Sequence, residues 1–443
     1  MRIPRLLLSA GALTLAATPM LPPRPTPTAG LGNVIFIHPD GASSATWAAV
    51  RALTQGPDGD LNWDRLPAMA LYRGHMADSL VATSNGGATT HATGVKVASD
   101  AYGKSAGGDR GQDLADEQGA LLSVGHQALR AGLPVGLVQT GIAPEPGSGC
   151  FLVEAPDRYQ LERIAADLVE SGARVLFSGG ERHFVPEGTD GVHGPGERRD
   201  GRDLVARARE LGYTVVFDRE QLLALPPETE KVLGLFAHDA TFNAQPEEEL
   251  AAAGLPLFEP DAPTVGEMTE VALRLLSREG ERFLLVVEEE GTDNFGNNNN
   301  AAGTLEAGRR ADEAIGVAQR FLAEQPETLI VTAADSDGGG LRMVGIPLLP
   351  SVEVPERLPE RARNGAPIDG VAGTASAPFL AAADRNGRRL PFYVTWSAYA
   401  DVAGGVLVRA DGLNSHRVRG SIDNTEIAKL IRLTLFGNPD GPR

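Results

Sequence analysis

The stretch Thr83–Lys96 (TSNGGATTHATGVK) combines a serine, which can attack phosphorus, with the features of a short helix. It follows a strand-like run at 69–74, and Gly94 marks its end. Ser84 would lie at the helix N-terminus, where free N–H groups favour a bound anion, and the glycines after it would let the backbone approach a ligand. An ordinary capped helix with a glycine stop has the same pattern, so both interpretations stay open for this stretch alone.

Acidic side chains follow several other strand-like runs. The carboxyl ends of parallel strands meet at one edge of a sheet, so residues far apart in sequence can converge there. Pro-Asp-Gly at 39–41 is also a common turn, which is the simpler interpretation of that motif by itself. Several clustered carboxylates, however, repel one another unless cations lie between them. The pattern therefore indicates a site for several metal ions, built from Asp40, Ser84, Glu145, Glu288, Asp293 and Asp335.

Strand-like and helical runs alternate along the chain. This predicts an α/β fold with a doubly wound, mostly parallel central sheet and helices on both faces. The predicted strands are 33–37, 69–74, 135–140, 174–179, 214–217, 231–237, 283–287 and 328–333, and the predicted helices are 121–131, 161–170, 203–211, 264–278, 301–323 and 424–435. The proline-rich segment 341–390 predicts an irregular insertion or lid, and 392–395 and 406–409 are expected to complete the sheet. We expect one domain over residues 30–443.

Of the 443 residues, 42% are hydrophobic and 22% are charged, as in ordinary globular proteins. A net charge of −18 makes nucleic acid and anionic membranes poor partners. Residues 1–29 are basic, then apolar, then proline-rich, which predicts a secretory signal peptide with a tether and a secreted or periplasmic protein without a membrane span. The single cysteine, Cys150, rules out an intrachain disulfide. The oligomeric state stays open, with a homodimer as one option.

In order and spacing these motifs resemble the alkaline phosphatase family, from about residue 33 to residue 437. The matching segments are NVIFIHPDG (33–41), ATGVK (92–96), PEPGSGCF (144–151), VVEEEGTDNFGN (286–297) and VTAADSDGGG (331–340). The resemblance implies that Ser84 is the phosphorylated serine and that Arg158 binds the substrate phosphate. It also implies metal ligands at Asp40, Glu145, Glu288, Asp293 and Asp335.

The chain departs from that family where zinc-binding histidines are expected. Asn297, Ser336 and Ser397 stand at those positions, and Thr83 replaces the aspartate that precedes the nucleophile. The remaining ligands, with Asn297 among them, are rich in oxygen, which favours Mg²⁺ together with Ca²⁺ or Mn²⁺ over Zn²⁺. His38 and His91 are close enough in sequence to lie beside the ligands.

The resemblance implies a secreted, metal-dependent phosphoric ester hydrolase that acts on a small phosphate ester through a phosphoserine at Ser84. Two alternatives remain open. One is a catalytically inactive metal-binding protein that keeps the fold, because fold does not guarantee activity. The other is a phosphodiesterase or a sulfatase-like hydrolase on the same architecture, although no C/S-x-P-x-R motif surrounds Ser84.

Overall fold

The computed structural model describes residues 29–442, so the predicted signal peptide and tether lie outside the described residues apart from Ala29. Its strands are β1 (Asn33–Pro39), β2 (Ala68–Arg73), β3 (Val135–Ile142), β4 (Val175–Gly179), β5 (Thr214–Val216), β6 (Val232–Leu235), β7 (Leu284–Glu289), β8 (Thr328–Thr332), β9 (Arg342–Gly345), β10 (Ile368–Gly370), β11 (Gly373–Thr374), β12 (Phe379–Leu380), β13 (Pro391–Thr395), β14 (Leu407–Gly412) and β15 (Arg419–Asp423).

The α-helices alternate with these strands along most of the chain. They are α1 (Ser44–Thr54), α2 (Ser84–Thr93), α3 (Val124–Arg130), α4 (Pro146–Gly149), α5 (Leu161–Glu170), α6 (Leu204–Glu210), α7 (Arg219–Leu223), α8 (Glu247–Ala253), α9 (Val265–Leu276), α10 (Gly291–Asn297), α11 (Ala301–Glu324) and α12 (Glu426–Phe436). Within the part of the chain that is described, no helix has the length and apolar character needed to cross a membrane.

Within residues 29–442, ten strands form the central sheet, in the order β15-β2-β14-β8-β1-β7-β3-β4-β6-β5. Among the strands that are described in this sheet, β14 alone runs antiparallel to its neighbours, which are β2 and β8. The other neighbouring strands pair in parallel. The predicted mostly parallel α/β sheet is confirmed, and β1 lies at its centre between β7 and β8.

Alternating side chains along the central strands supply two cores, one on each face of the sheet. In β1, Val34 and Phe36 belong to one core, whereas Ile35 and Ile37 belong to the other. Helices α2, α3, α5, α6 and α12 pack residues into the first core, and α1, α9 and α11 pack residues into the second. Because helices cover both faces of the sheet, the sequences of the central strands are continuous apolar runs.

A second, smaller antiparallel sheet contains β9 to β13. The segment 341–390 is therefore less irregular than predicted, because it carries β9 to β12. The run 392–395 was expected in the main sheet, but as part of β13 it pairs with β9, β10 and β12 instead. Strands β9 to β12 are two to four residues long. A period-two pattern cannot be recognised over so few residues.

Candidate active site and metal centre

Four neighbouring strands, in the order β8-β1-β7-β3, bring acidic residues to one edge of the sheet. Asp335 follows β8, Asp40 follows β1, and Glu145 follows β3. Glu288 lies within β7, opposite His38 of β1 in the parallel register. These four predicted site residues therefore come from adjacent carboxyl ends, although they are widely separated in sequence.

Asp40 is the common member of two groups of buried candidate ligands. One group is His38, Asp40 and Asp335, and the other is Asp40, Glu288 and Glu290; within each, one ligand atom per residue lies within 4.8 Å of the others. Within residues 29–442, both carboxylate oxygens of Asp40, of Glu288 and of Asp335 lack a hydrogen-bond partner. Buried oxygens without donors are costly unless a positive charge compensates them. The donor set therefore fits divalent cations with a preference for oxygen ligands.

Burial is the largest influence on the protonation of these carboxyl groups. It raises the pKa of Glu288 to about 7, with attraction from His38 opposing and repulsion from Asp40 reinforcing the effect. Burial and then the charge of Asp40 raise the pKa values of Glu290 and Asp335 well above their ordinary range. Burial acts in the same direction on Asp40, but its close approach to Asp335 and the attraction of His38 hold its pKa below the ordinary value. A bound cation favours the ionised form of every one of these groups.

Ser84 is the first residue of α2, as the sequence predicted. Thr83 caps the helix through its side chain, and Ser84 is only 8% exposed. The Ser84 hydroxyl interacts with the Asp40 carboxylate and is one of the smaller influences that lower the pKa of that group. Helix α2 can approach Asp335 because residue 87 is glycine: a Cβ at Gly87 would lie 2.6 Å from the Asp335 Cβ. The serine is thereby held against the carboxylate cluster.

Asp293 reaches the cluster from α10. Gly41 allows this approach, because its φ of +66° is left-handed and a Cβ there would lie 2.5 Å from the Asp293 Oδ1. The Thr292 hydroxyl donates to the Asp40 carbonyl at 2.5 Å and joins α10 to the end of β1. Asp293 is 4% exposed, and its Oδ1 has no hydrogen-bond partner in the described part of the chain.

Asn297 presents its amide nitrogen, rather than its oxygen, to the carboxylates. Its Nδ2 donates to Asp293 Oδ2 at 2.8 Å and to Asp401 Oδ1 at 3.1 Å. Its Oδ1 accepts from the Gly339 N–H at 2.8 Å. The oxygen predicted to bind metal is therefore already used, and this orientation gives that prediction no support. Burial, followed by repulsion from Asp401, raises the pKa of Asp293 well above its ordinary range.

Arg158 lies in the loop before α5 and contacts Asn85, the residue that follows Ser84. Its Nη2 donates to Glu145 Oε2 at 3.0 Å, and its Nη1 donates to Asn85 Oδ1 at 3.3 Å. With 29% of the side chain exposed, the guanidinium is open to an incoming anion. Burial raises the pKa of Glu145, and Arg158 opposes this effect. Glu145 was predicted as a metal ligand, but here its carboxylate pairs with Arg158.

The structure adds three residues to the site that the sequence analysis did not place in the ligand set, namely His38, Glu290 and Asp401. Glu288 and Glu290 are two positions apart, and alternate residues of extended chain share one side. That spacing could have identified Glu290 from the sequence. Asp401 could not be found in this way, because it follows β13 of the small sheet and reaches Asn297 from a loop.

A cavity of about 700 Å³ opens next to these groups, lined by Glu145, Asn294, Arg182 and His238 among others. The Arg182 guanidinium is paired with Asp239, its Nη2 lying 3.0 Å from the aspartate Oδ1. The cavity therefore offers charged and hydrogen-bonding groups beside Glu145, from residues at or after the carboxyl ends of β3, β4 and β6. It is large enough for a small organic molecule.

The fold and the site define a class of protein: an α/β protein with buried carboxylates at the carboxyl edge of its sheet, next to a helix-terminal serine and an open arginine. Such an arrangement combines a place for cations with a place for an anion.

The chain belongs to the alkaline phosphatase family, whose model, described as alkaline phosphatase, matches residues 31–351. An alkaline phosphatase of Gadus morhua is 28% identical over 337 residues, which cover 68% of each chain. A membrane-bound alkaline phosphatase of Bombyx mori is 29% identical over 344 residues, and the match spans 59% of its length.

Solved structures show the same fold. The alkaline phosphatase of Thermus thermophilus has a TM-score of 0.68 at 24% identity, with 92% of each chain covered. That of the Antarctic bacterium TAB5 has a TM-score of 0.67 at 20% identity, with 92% of this chain and 98% of the other covered. At these identities the likeness concerns the architecture alone.

Proposed function

We propose that this chain is a metal-dependent phosphoric monoester hydrolase in which Ser84 is the nucleophile and Arg158 binds the phosphate. The observation that carries the proposal is the position of Ser84, which starts α2 next to Asp40. Arg158 hydrogen-bonds to Asn85, the next residue along the chain. Family membership supports the reaction class, and this arrangement supports the assignment of the two residues.

Arg158 and the start of α2 together make the anion site. The guanidinium can donate two hydrogen bonds to phosphate oxygens in a fork. The free N–H groups of the first turn of α2 add partial positive charge on the same side. A phosphate held there has its phosphorus close to the Ser84 hydroxyl, which is the arrangement that nucleophilic attack requires.

The reaction proceeds in two displacements. In the first, the Ser84 Oγ gives up its proton and forms a bond to phosphorus while the bond from phosphorus to the alcohol oxygen breaks, and the departing alcohol takes up a proton. In the second, a water oxygen forms a bond to phosphorus, the bond from phosphorus to the Ser84 Oγ breaks, inorganic phosphate leaves, and a proton from the water restores the Ser84 hydroxyl. Arg158 keeps hold of the phosphate oxygens through both steps.

Divalent cations would lower the pKa of the serine hydroxyl and neutralise charge on the phosphoryl oxygens. The residues that would hold them are Asp40, Ser84, Glu288, Glu290, Asp293 and Asp335. Glu145 joins this set if the phosphate takes over its bond with Arg158. The preponderance of carboxylates favours Mg²⁺ with Ca²⁺ or Mn²⁺.

The neighbouring cavity would receive the alcohol part of the ester. Its volume of about 700 Å³ suits a small molecule rather than a polymer. Arg182, His238 and Asn294 give it a polar lining, which favours hydroxylated or charged alcohols over purely apolar ones.

The proposal is tested with metal-stripped protein and the substrates p-nitrophenyl phosphate and bis(p-nitrophenyl) phosphate. Activity on the monoester should return with Mg²⁺ and with Mn²⁺ or Ca²⁺ and should exceed activity on the diester. Ser84→Ala should lower kcat by a factor on the order of 10³ or more. Ser351→Ala, the same change at an exposed position, should have no effect. Turnover by Ser84→Ala at the wild-type rate would refute the role of Ser84, and inactivity with every cation would support a non-catalytic binding protein.

A further inference from the structure

His38 is a fully buried histidine at the carboxyl end of β1, with 0% of its surface exposed. Its Nδ1 lies 2.7 Å from the carbonyl oxygen of Ala333. A carbonyl oxygen can only accept a hydrogen bond, so Nδ1 is the protonated nitrogen. In the neutral ring, Nε2 therefore carries the lone pair.

The Nε2 atom faces the carboxylate cluster and makes no hydrogen bond to any residue that the structure describes. It lies 3.4 Å from Asp40 Oδ1, and it belongs with Asp40 and Asp335 to a group whose ligand atoms are all within 4.8 Å of one another. Among the described residues, His38 Nε2 and all four oxygens of the two carboxylates find no hydrogen-bond partner. Lone pairs that face one another in a buried space require a positive charge between them.

We propose that His38 Nε2 is a ligand of the cation held by Asp40 and Asp335. The imidazole comes from β1, whereas the loop after β8 offers only the Ser336 hydroxyl beside Asp335. A hydrogen bond from the second ring nitrogen to a backbone carbonyl is the usual accompaniment of a metal-binding histidine, since it sets the tautomer and the ring orientation. His38 makes that bond with Ala333.

The proposal rests on the metal centre of the proposed function. It changes the metal that we expect at the group formed by His38, Asp40 and Asp335. One imidazole with two carboxylates suits Mn²⁺, Co²⁺ or Zn²⁺ better than Ca²⁺ or Mg²⁺. The groups around Glu288, Glu290 and Asp293 contain oxygen donors only, and they keep their preference for hard cations. The two halves of the site therefore select different metals.

The neighbouring histidine does not share these features. The His91 ring centroid is 5.5 Å from that of His38. Its Nε2, however, is 2.6 Å from the Tyr72 hydroxyl, and this hydrogen bond directs it away from the carboxylates. His91 therefore provides a matched control: a buried histidine in the same region whose Nε2 already has a partner.

The first test uses the wild-type protein labelled with ¹⁵N-histidine and titrated with Zn²⁺, a diamagnetic ion. Long-range ¹H–¹⁵N spectra should show the His38 Nε2 resonance moving from the position of a free neutral nitrogen to that of a metal-bound one. The His91 resonances should change far less. Two results in the Zn²⁺-loaded protein overturn the proposal. One is a His38 ring that is protonated at both nitrogens, and the other is a neutral ring whose Nε2 resonance has not moved.

The second test measures affinities by calorimetry on metal-stripped variants. His38→Asn keeps a donor that can reach the Ala333 carbonyl but removes Nε2. It should weaken Zn²⁺ and Mn²⁺ binding by at least roughly 10- to 100-fold and leave Ca²⁺ binding close to wild type. His91→Asn should bind Zn²⁺ as wild type does, and circular dichroism verifies the fold of both variants.

Equal Zn²⁺ affinity in His38→Asn and wild type overturns the proposal. If the Zn²⁺ affinities are equal but Ser84→Ala is still inactive, the proposal for His38 fails and the hydrolase assignment stands. Conversely, the protein could be inactive with every cation while Zn²⁺ still shifts the His38 Nε2 resonance. That result contradicts the proposed function and supports His38 as a metal ligand.

Discussion

Changing Asn297 to aspartate replaces a hydrogen-bond donor by a carboxylate between two other carboxylates. In the metal-free protein the variant loses the two hydrogen bonds that Nδ2 makes to Asp293 and Asp401, at 2.8 and 3.1 Å. The new carboxylate also repels both neighbours. When cations are present, the same change adds an oxygen ligand. The variant should therefore bind cations more tightly than wild type, although its metal-free form is less stable.

A typical hydrogen bond contributes about 0.5–1.5 kcal/mol, and one to a charged group contributes about 1.5–3 kcal/mol. Because the pKa of Asp293 is raised, its bond with Asn297 belongs to the weaker kind. The two bonds together give an expected loss of about 2–4 kcal/mol in the free energy of unfolding, measured by urea denaturation in the presence of EDTA. Repeating the denaturation in excess Ca²⁺ or Mn²⁺ should show a larger cation-dependent stabilisation for the variant than for wild type.

Asn298→Asp is the matched control. Its Nδ2 donates to the Asn294 carbonyl at 2.8 Å and faces no carboxylate, so the same chemical change is made one residue away. The control should leave cation-dependent stabilisation unchanged. If Asn297→Asp is as stable as wild type in EDTA and responds to cations like wild type, Asn297 does not act as a donor between these carboxylates.

Three further outcomes are expected. Arg158→Ala should lower kcat/KM by roughly 10- to 150-fold in steady-state assays, which is equivalent to about 1.5–3 kcal/mol. Arg163→Ala, on the exposed side of α5, is the control, and a drop of the same size in that variant would contradict the prediction. In the metal-free protein, the free energy of unfolding of wild type should fall as the pH rises from 4.5 to about 7. The fall should be about 3 kcal/mol greater than the change in Glu289→Gln over the same pH range. Burial raises the pKa of Glu289 to about 7, so the folded state holds a proton that the unfolded state has released; parallel pH profiles of urea unfolding would exclude this linkage. We also propose export, so the mature protein should begin near residue 30, and mass spectrometry of secreted material that retains Met1 would count against it.

The sequence predicted the central sheet well because buried parallel strands are apolar along their whole length. The predicted strand 33–37 corresponds to β1, and 328–333 corresponds to β8. The prediction ended β7 at Val287, before the acidic residues, whereas the strand continues to Glu289. Charged residues inside a strand are not expected from hydrophobic pattern alone, because their stabilisation depends on partners from other elements.

The details of the site depend on contacts that no local pattern records. Asn297 has the right position for a ligand, but the direction of its amide is set by the Gly339 N–H and by Asp401. Asp401 itself is brought in by the small sheet, whose strands are too short to recognise from sequence. His38 was expected beside the ligands, and its orientation is set by the Ala333 carbonyl.

The adjacency of β8, β1, β7 and β3 also determines when in folding the site can exist. Asn33 of β1 and Thr328 of β8, which are hydrogen-bonded, are separated by 295 positions. Contacts that close such long loops tend to form late in folding, so the unfolded chain offers no preassembled ligand cluster. Cations therefore stabilise the finished sheet more than the transition state, and their main kinetic effect falls on the unfolding rate. Bound metal would lengthen the lifetime of the folded enzyme, and its resistance to proteolysis, without making it fold faster.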